Sequence, residues 1–343
     1  MSLPTSLSAL IILISAAAPL ASAAGPPLTD SSKCGCFLTN GTESRYFSHH
    51  AFYDFRSQSQ YAGVPPVISD AASSAGAPVT SKFFSSSAWT NDWIMGNWNN
   101  SQGGRADAAV FMVHSPNNVY IEANDNKGGK PDTWLTFRTQ RFEKFQSAAE
   151  IESLSKAYQF LSVRMLSRTF GGKGAITALF TYLHSENVSE VQEADLEVLT
   201  KGEDNIIHYT NQPGYSADGK LIPQATVNAT MPDGLKWTDW AIHRLDWTPT
   251  RNTWYVNGQQ VAQISFQTPR DPSKIILNAW SDGGQWSGNM SVGDSAYMQV
   301  QWLEVVFNST DTSAGHSRRR QIEGRGSSVS NGVCNSSSRW NFS

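Results

Sequence analysis

Between Val191 and Thr200 the chain reads Val-Gln-Glu-Ala-Asp-Leu-Glu-Val-Leu-Thr, so Glu193, Asp195 and Glu197 fall at alternate positions with Ala194, Leu196 and Val198 between and beside them. Side chains of a β-strand alternate between its two faces, which places the three acids on one face and the apolar residues on the other. Like charges in a row repel, and the arrangement is costly unless the acids share protons or serve a reaction. The chemistry such a set can do is acid–base and nucleophilic: one carboxylate attacks while a neighbour that has kept its proton protonates the leaving group. An exposed edge strand whose acids discourage aggregation would show the same pattern.

The elements that must position these acids are legible on either side. Short β-rich runs alternate with Gly, Asn, Asp, Ser and Pro clusters from about Phe37 to Phe307, which predicts an all-β sandwich. Residues 109–113, 119–122, 175–182 and 297–307 are examples. In the stretch from Phe142 to Tyr158, Phe145, Ala148, Ala149 and Leu154 could also stripe a helix.

Glu193-Ala-Asp-Leu-Glu197 resembles the active-site strand of glycoside hydrolase family 16, whose pattern is Glu-x-Asp-x-Glu. The resemblance extends to Asp246-Trp-Thr-Pro249 with Thr253-Trp-Tyr-Val-Asn-Gly258, similar to the family's paired strands after the catalytic one. It continues in Ile276-Leu-Asn-Ala-Trp-Ser-Asp-Gly-Gly284 with Trp286-Ser-Gly288, similar to its cleft-lining strand and loop. These motifs run in order over roughly Cys34 to Asn308, and Thr210-Asn-Gln-Pro213 is similar to secreted fungal branches. The resemblance implies a jelly-roll β-sandwich of the concanavalin A-like type, and it resolves the stretch from Phe142 to Tyr158 as a strand pair. It also implies Glu193 as nucleophile, Glu197 as acid/base and Asp195 as the helper between them, in a retaining double displacement. Retaining enzymes need their two carboxyls about 5–5.5 Å apart. Four residues of flat strand separate the Cα atoms by roughly 13 Å, so sheet curvature and side-chain reach must close the gap. Trp280, Trp286 and Asn278, beside Asp282 and Gly283-Gly284, stand where the family lines its sugar groove. His243 sits on a strand expected to neighbour the catalytic one, where a substrate contact competes with a half-buried histidine bonded to backbone. Core or loop packing is expected for Trp89, Trp93, Trp98 and Trp134, with one or two of them open to distant subsites, and core for most of Trp237, Trp240, Trp247, Trp254 and Trp302.

Of 343 residues 16% are charged and 11% aromatic, and the net charge of −3 offers no reason to expect a nucleic acid or other polyanion as partner. No His/Cys cluster has metal-ligand spacing and no Gly-rich phosphate loop follows a strand, so neither metal nor cofactor is expected. An apolar run centred on residues 10–14, followed by Ala21-Ser-Ala23, predicts a signal peptide over residues 1–23. The run is shorter than the roughly 20 apolar residues of a membrane span. Sequons at Asn40, Asn99, Asn187, Asn228, Asn289, Asn308, Asn335 and Asn341 agree with secretion. Cys34 and Cys36 would have Cα atoms roughly 6.6–7 Å apart in an extended chain, a poor mutual bridge, so one of them is expected to pair with Cys334. The odd count leaves one cysteine over, free or paired between chains.

The expected organisation is a catalytic domain over residues 24–310 and a flexible Ser/Arg-rich tail over 311–343, in a monomeric protein outside the cell or in its wall. The expected activity is endo-β-1,3(4)-glucanase-like hydrolysis of a β-glucan polysaccharide. A β-glucan transglycosylase is the alternative on the same fold, and a glycan-binding lectin-like protein the alternative without turnover.

Overall fold

The computed structural model describes residues 34–41, 44–101, 104–126, 129–216, 218–311 and 332–335. The expected signal peptide lies outside the described residues, as does most of the expected tail. In chain order the first strands are β1 (Cys34–Leu38), β2 (Tyr46–Phe47), β3 (His49–Asp54), β4 (Trp93–Met95), β5 (Met112–His114), β6 (Val119–Ala123) and β7 (Thr133–Arg141). Then come β8 (Gln146–Ser153), β9 (Tyr158–Gly171), β10 (Ile176–Leu183), β11 (Gln192–Leu199), β12 (Ile206–Gln212), β13 (Thr226–Thr230) and β14 (Ala241–Trp247). The last are β15 (Asn252–Val256), β16 (Gln259–Ile264), β17 (Lys274–Trp280), β18 (Ser295–Ser309) and β19 (Gly332–Asn335).

Hydrogen bonding links the strands in the order β13-β12-β11-β10-β17-β8-β7-β18-β9-β14-β15-β16, with β4 and β5 added to β8, β6 to β7 and β3 to β18. The β7–β8 step pairs only Gln140 with Ser147 and Arg141 with Gln146. There the path turns a corner, and the two halves fold face to face as the expected jelly-roll sandwich. Period-two alternation fills the space between them. Ala194, Leu196 and Val198 of β11 and Leu179 of β10 meet Val163, Met165, Leu245, Trp254 and Val305 from the other half. Burying each large apolar side chain contributes about 1.5–3 kcal/mol, and the inward face of β11 is locked by that gain. Slipping the strand by one residue would turn its acids into this core.

β11 lies between β10 and β12, so its acids are not an edge-strand device. The stretch that could have striped a helix contains β8, where Ala149 and Ile151 enter the core and Glu150 and Glu152 alternate to the other side. Trp89, Trp93, Trp134, Trp237, Trp247, Trp254 and Trp302 are all buried, as expected, whereas Trp98 is 44% exposed.

A small sheet of order β19-β1-β2 covers part of the outer face of the second half, with Cys34, Phe37 and Phe47 packed on Val306 and Phe160. Cys34 is bonded to Cys334, and Cys36 is free. Thus four residues of the segment expected to be a flexible tail form a strand, because a covalent bond and a parallel ladder with β1 supply the order that their composition does not. Beside this sheet, buried Glu304 accepts from His50 Nε2 at 2.7 Å and from Arg164 Nη2 at 2.6 Å. Burial pushes the Glu304 pKa up, but the Arg164 and His50 charges and hydrogen bonds outweigh it and hold the carboxyl below its ordinary value.

The bond closes a very long loop. Replacing Cys34 with Ser should lower stability by about 2–4 kcal/mol in urea unfolding. Peptide mapping without reductant should recover Cys34 joined to Cys334 and Cys36 as an alkylated thiol; Cys334 recovered as a free thiol would contradict the pairing.

Candidate active site

Residues directly opposite in antiparallel strands share a face, so the register of the first half arranges its outward side chains in rows. One row runs His208, Glu197, Ala178, Asn278, Glu150 across β12, β11, β10, β17 and β8. The next runs Thr210, Asp195, Phe180, Ile276, Glu152, and the third Gln212, Glu193, Tyr182, Lys274. At 4.7–4.9 Å per strand, Glu150 stands roughly 14 Å from Glu197 on the same face. All residues of these rows except His208 and Thr210 line a cavity of about 790 Å³, lined also by Trp98, Arg105, His114, Trp280, Asp282 and Trp286. That size suits a ligand site with aromatic walls and a few converging polar groups.

The three acids of β11 are not equivalent. Burial raises Glu193 to about 7; a hydrogen bond with Asp195 opposes the rise and the Glu197 charge adds to it. Asp195 is pushed well above its ordinary value by burial, by the Glu193 charge and by the same hydrogen bond. The hydrogen bond between the two carboxyls thus favours the anion of Glu193 over that of Asp195. Asp195 Oδ2 also accepts from Gln212 Nε2 at 3.0 Å. Gln212 is oriented in turn, its Oε1 accepting from the Gly214 N–H at 2.7 Å. Burial and the Asp195 charge raise Glu197 to about 8, against the Trp286 hydrogen bond and the Arg105 charge.

The indole Nε1 of Trp286 donates to both oxygens of Glu197, at 3.2 and 3.1 Å. The loop that carries it is cross-tied. Asp282 Oδ1 accepts from the Gly284 N–H at 2.9 Å and from Ser287 Oγ at 2.8 Å, and Asp107 Oδ2 accepts from the Gln285 N–H at 2.7 Å. Lys201 Nζ donates to the Gln285 carbonyl. Gly283 has φ +72°, and a Cβ there would meet Val110 Cγ2 at 2.6 Å, so the Gly-Gly pair is required by shape.

Trp280, Trp286 and Asn278 stand in the cleft as expected, with Asn278 Nδ2 donating to Glu150 Oε2 at 3.4 Å. His243 does not. Its strand β14 pairs with β9 and β15 in the opposite half, and its ring is buried against Met165, Leu196 and Val198 beside a void of about 10 Å³. Burial lowers its pKa to about 4, so it packs as a neutral core residue. The expectation failed because outward and inward positions of β14 depend on the half it joins, which residue spacing does not state.

Several cleft residues escaped the sequence reading or were left undecided by it. Trp98, for which packing was the default and a distant subsite the alternative, stacks on His114 with ring centroids 4.1 Å apart and donates to Glu150 Oε1 at 2.6 Å. Glu150 is buried and raised to about 7, chiefly by desolvation. The alternation Ala148-Ala-Glu-Ile-Glu152 repeats in miniature the signature of β11 and could have flagged it. Gln212 and His208 carried no comparable signal. Among the described residues no group of three or more His, Cys, Asp or Glu is placed to hold a metal ion.

Residues 107–304 match the family model described as Glycosyl hydrolases family 16. The chain belongs to glycoside hydrolase family 16. The matched region contains β8, β10, β11, β12, β17 and the loop that bears Trp286. Among curated relatives, a beta-glucanase of Bacillus subtilis is 24% identical over 176 residues, 50% of this chain and 68% of that protein. One from Paenibacillus macerans is 24% identical over 215 residues, 62% of this chain and 83% of that one. Among solved structures, an endo-beta-1,3-glucanase from Pyrococcus furiosus aligns with a TM-score of 0.48 and 24% identity, covering 64% of this chain and 89% of that one.

Raised carboxyl pKa values make the family 16 cleft pH-sensitive in stability as well as in charge. A group whose folded pKa lies above its unfolded value stabilises the fold at low pH and loses that contribution as pH rises through the folded value. For Glu150 and Glu193 at about 7 and Glu197 at about 8, the loss falls between pH 5 and 9. Glu197→Gln, which cannot ionise, should raise the melting temperature at pH 8.5 by several degrees, at roughly 2–4 °C per kcal/mol, and change it little at pH 5. Calorimetry at the two pH values checks this.

Proposed function

We propose that the protein is a secreted, retaining endo-β-glucanase in which Glu193 is the nucleophile, Glu197 the acid/base and Asp195 the helper between them. The observation that carries this reading is the geometry of β11: Glu193, Asp195 and Glu197 share one face of a mid-sheet strand in the cleft. Gln212 Nε2 donates to Asp195 and Trp286 Nε1 to both oxygens of Glu197, while burial raises Glu197 to about 8. A protonated Glu197 gives its proton to the leaving glycosidic oxygen as the Glu193 carboxylate attacks the anomeric carbon. The Glu197 carboxylate then takes a proton from water, which displaces Glu193 from the sugar. Trp280, Trp98 and the polar groups of Asn278 and Glu150 offer aromatic faces and hydrogen-bond partners along the floor, as a chain of pyranose rings requires. β-Glucan as substrate is supported by the curated relatives named beta-glucanase.

Residues 24–310 are proposed as the catalytic unit. Secretion is supported by the apolar leader, the sequons and the Cys34–Cys334 bond, which persists in oxidising compartments.

The mechanism is tested by separating the two carboxyls. Glu197→Ala should lose roughly 10²–10⁴-fold on laminarin or lichenan but keep activity on an aryl glycoside whose leaving group needs no proton, while Glu193→Ala should lose both. Azide should rescue Glu197→Ala with a β-glycosyl azide and Glu193→Ala with the α product. NMR that found inversion by the unaltered enzyme, or full activity of Glu193→Ala, would reject the retaining assignment; glycan binding without turnover would favour a lectin-like protein.

A further inference from the structure

We propose that Trp286 is a positioning residue for Glu197, whose indole N–H fixes the orientation and proton affinity of that carboxyl, and not a platform on which a sugar ring stacks. The inference rests on the reading of Glu197 as the acid/base. Its basis is geometric. A single N–H nearly equidistant from both carboxyl oxygens, at 3.2 and 3.1 Å, points along the bisector of the group and restrains its rotation. The indole itself is restrained from two directions. His208, opposite Glu197 on β12, meets it edge-on with ring centroids 5.3 Å apart and planes at 79°. The backbone around it is held by Asp282, Asp107 and Lys201, three side chains from separate parts of the chain. With its N–H committed to Glu197 and His208 set against its ring, the indole is held in the orientation that serves the carboxyl.

The charge environment shows what the N–H must do. Glu197 is faced by Asp195 and Glu193 on its own strand, by Arg105 and Asp282, which line the same cavity, and by His208 opposite it on β12, with Glu150 farther along the row. His208 is lowered by burial, an effect that a hydrogen bond with Asn228 opposes and the Lys201 charge augments, so its ring adds no positive charge near neutral pH. Arg105 already shares its guanidinium with Asp107 at 3.2 Å and Asp282 at 3.6 Å. The indole N–H is thus the group in direct hydrogen-bond contact with Glu197 that favours its anion, the form it must take once its proton has gone to the leaving oxygen.

Trp286→Phe separates the two roles, because it keeps an aromatic face and removes the donor. The expected result is a roughly tenfold fall in kcat on the polysaccharide with KM within about twofold, near-normal turnover of an activated aryl glycoside, and an alkaline limb of kcat/KM displaced to higher pH. Independently of turnover, the ¹³C NMR titration of the Glu197 carboxyl, identified by its absence in Glu197→Gln, should move its midpoint upward in Trp286→Phe. His208→Leu leaves the indole in place but frees it to turn, and should move both readouts in the same direction by less. Unchanged kcat and an unchanged titration midpoint in Trp286→Phe would overturn the proposal. So would a Trp286→Ala enzyme that loses affinity many-fold while Trp286→Phe behaves as wild type, the signature of a platform. If Glu197→Ala kept full activity on poor leaving groups, the acid/base reading would fail, and the titration midpoint would still decide whether Trp286 governs the carboxyl.

Discussion

A carboxyl that must release a proton in one step and recover it in the next has to be held where neither charge state is strongly preferred. Water alone leaves it ionised, and an apolar interior alone leaves it permanently neutral. β11 reaches the balance by placing three acids on one buried face, so that each makes the next harder to ionise, and then assigning the protons by hydrogen bonds. The hydrogen bond between Asp195 and Glu193 favours the Glu193 anion, and Glu197 is raised by burial and the Asp195 charge against the opposing pull of Trp286 and Arg105. This balance survives only if the strand cannot turn or slip. Its position in mid-sheet and the seating of Ala194, Leu196 and Val198 in the core are conditions of the chemistry as much as of the fold.

The two halves of the sandwich divide the work. The second half is the heavier packing partner, with Trp247 and Trp254 fully buried and an ion network of Glu304, Arg164 and His50 on its outer side. The first half spends its outward face on polar groups that a stability argument alone would not choose. Glu150, Asp195 and Asn278 are all buried there, and the Oδ1 of Asn278 finds no partner among the described residues. Unsatisfied buried acceptors are costly, and a cleft whose occupant brings hydroxyl donors is the setting in which such a cost is offset.

Period-two alternation was enough to read the β-sandwich, the acid strand and the inward tryptophans, whereas the cleft positions of Asn278, Trp280 and Trp286 were legible only through the family likeness. Alternation says which residues share a face, but not which of two sheets a strand joins, and His243 was misplaced for that reason. The same limit left Trp98 undivided between packing and a distant subsite. Its exposure follows from where the segment before β5 crosses the first half, a long-range choice without a local signature. Glu150 carried a signal, weakened because Phe145, Ala148 and Ala149 also fit a helical stripe; only pairing with β17 shows that the outward acid and Asn278 belong to one row.

The clasp of β1 and β19 bears on how the molecule is presented to its surroundings. Cys34 and Cys334 have Cα atoms 5.5 Å apart, and their sheet rests on Val306 and Phe160, on the outer side of the half that does not carry the cleft. The clasp therefore closes on the far side of the sandwich from Glu193 and Glu197. A polymer lying in the cleft would not meet it, so the covalent bond can hold the fold without narrowing the opening.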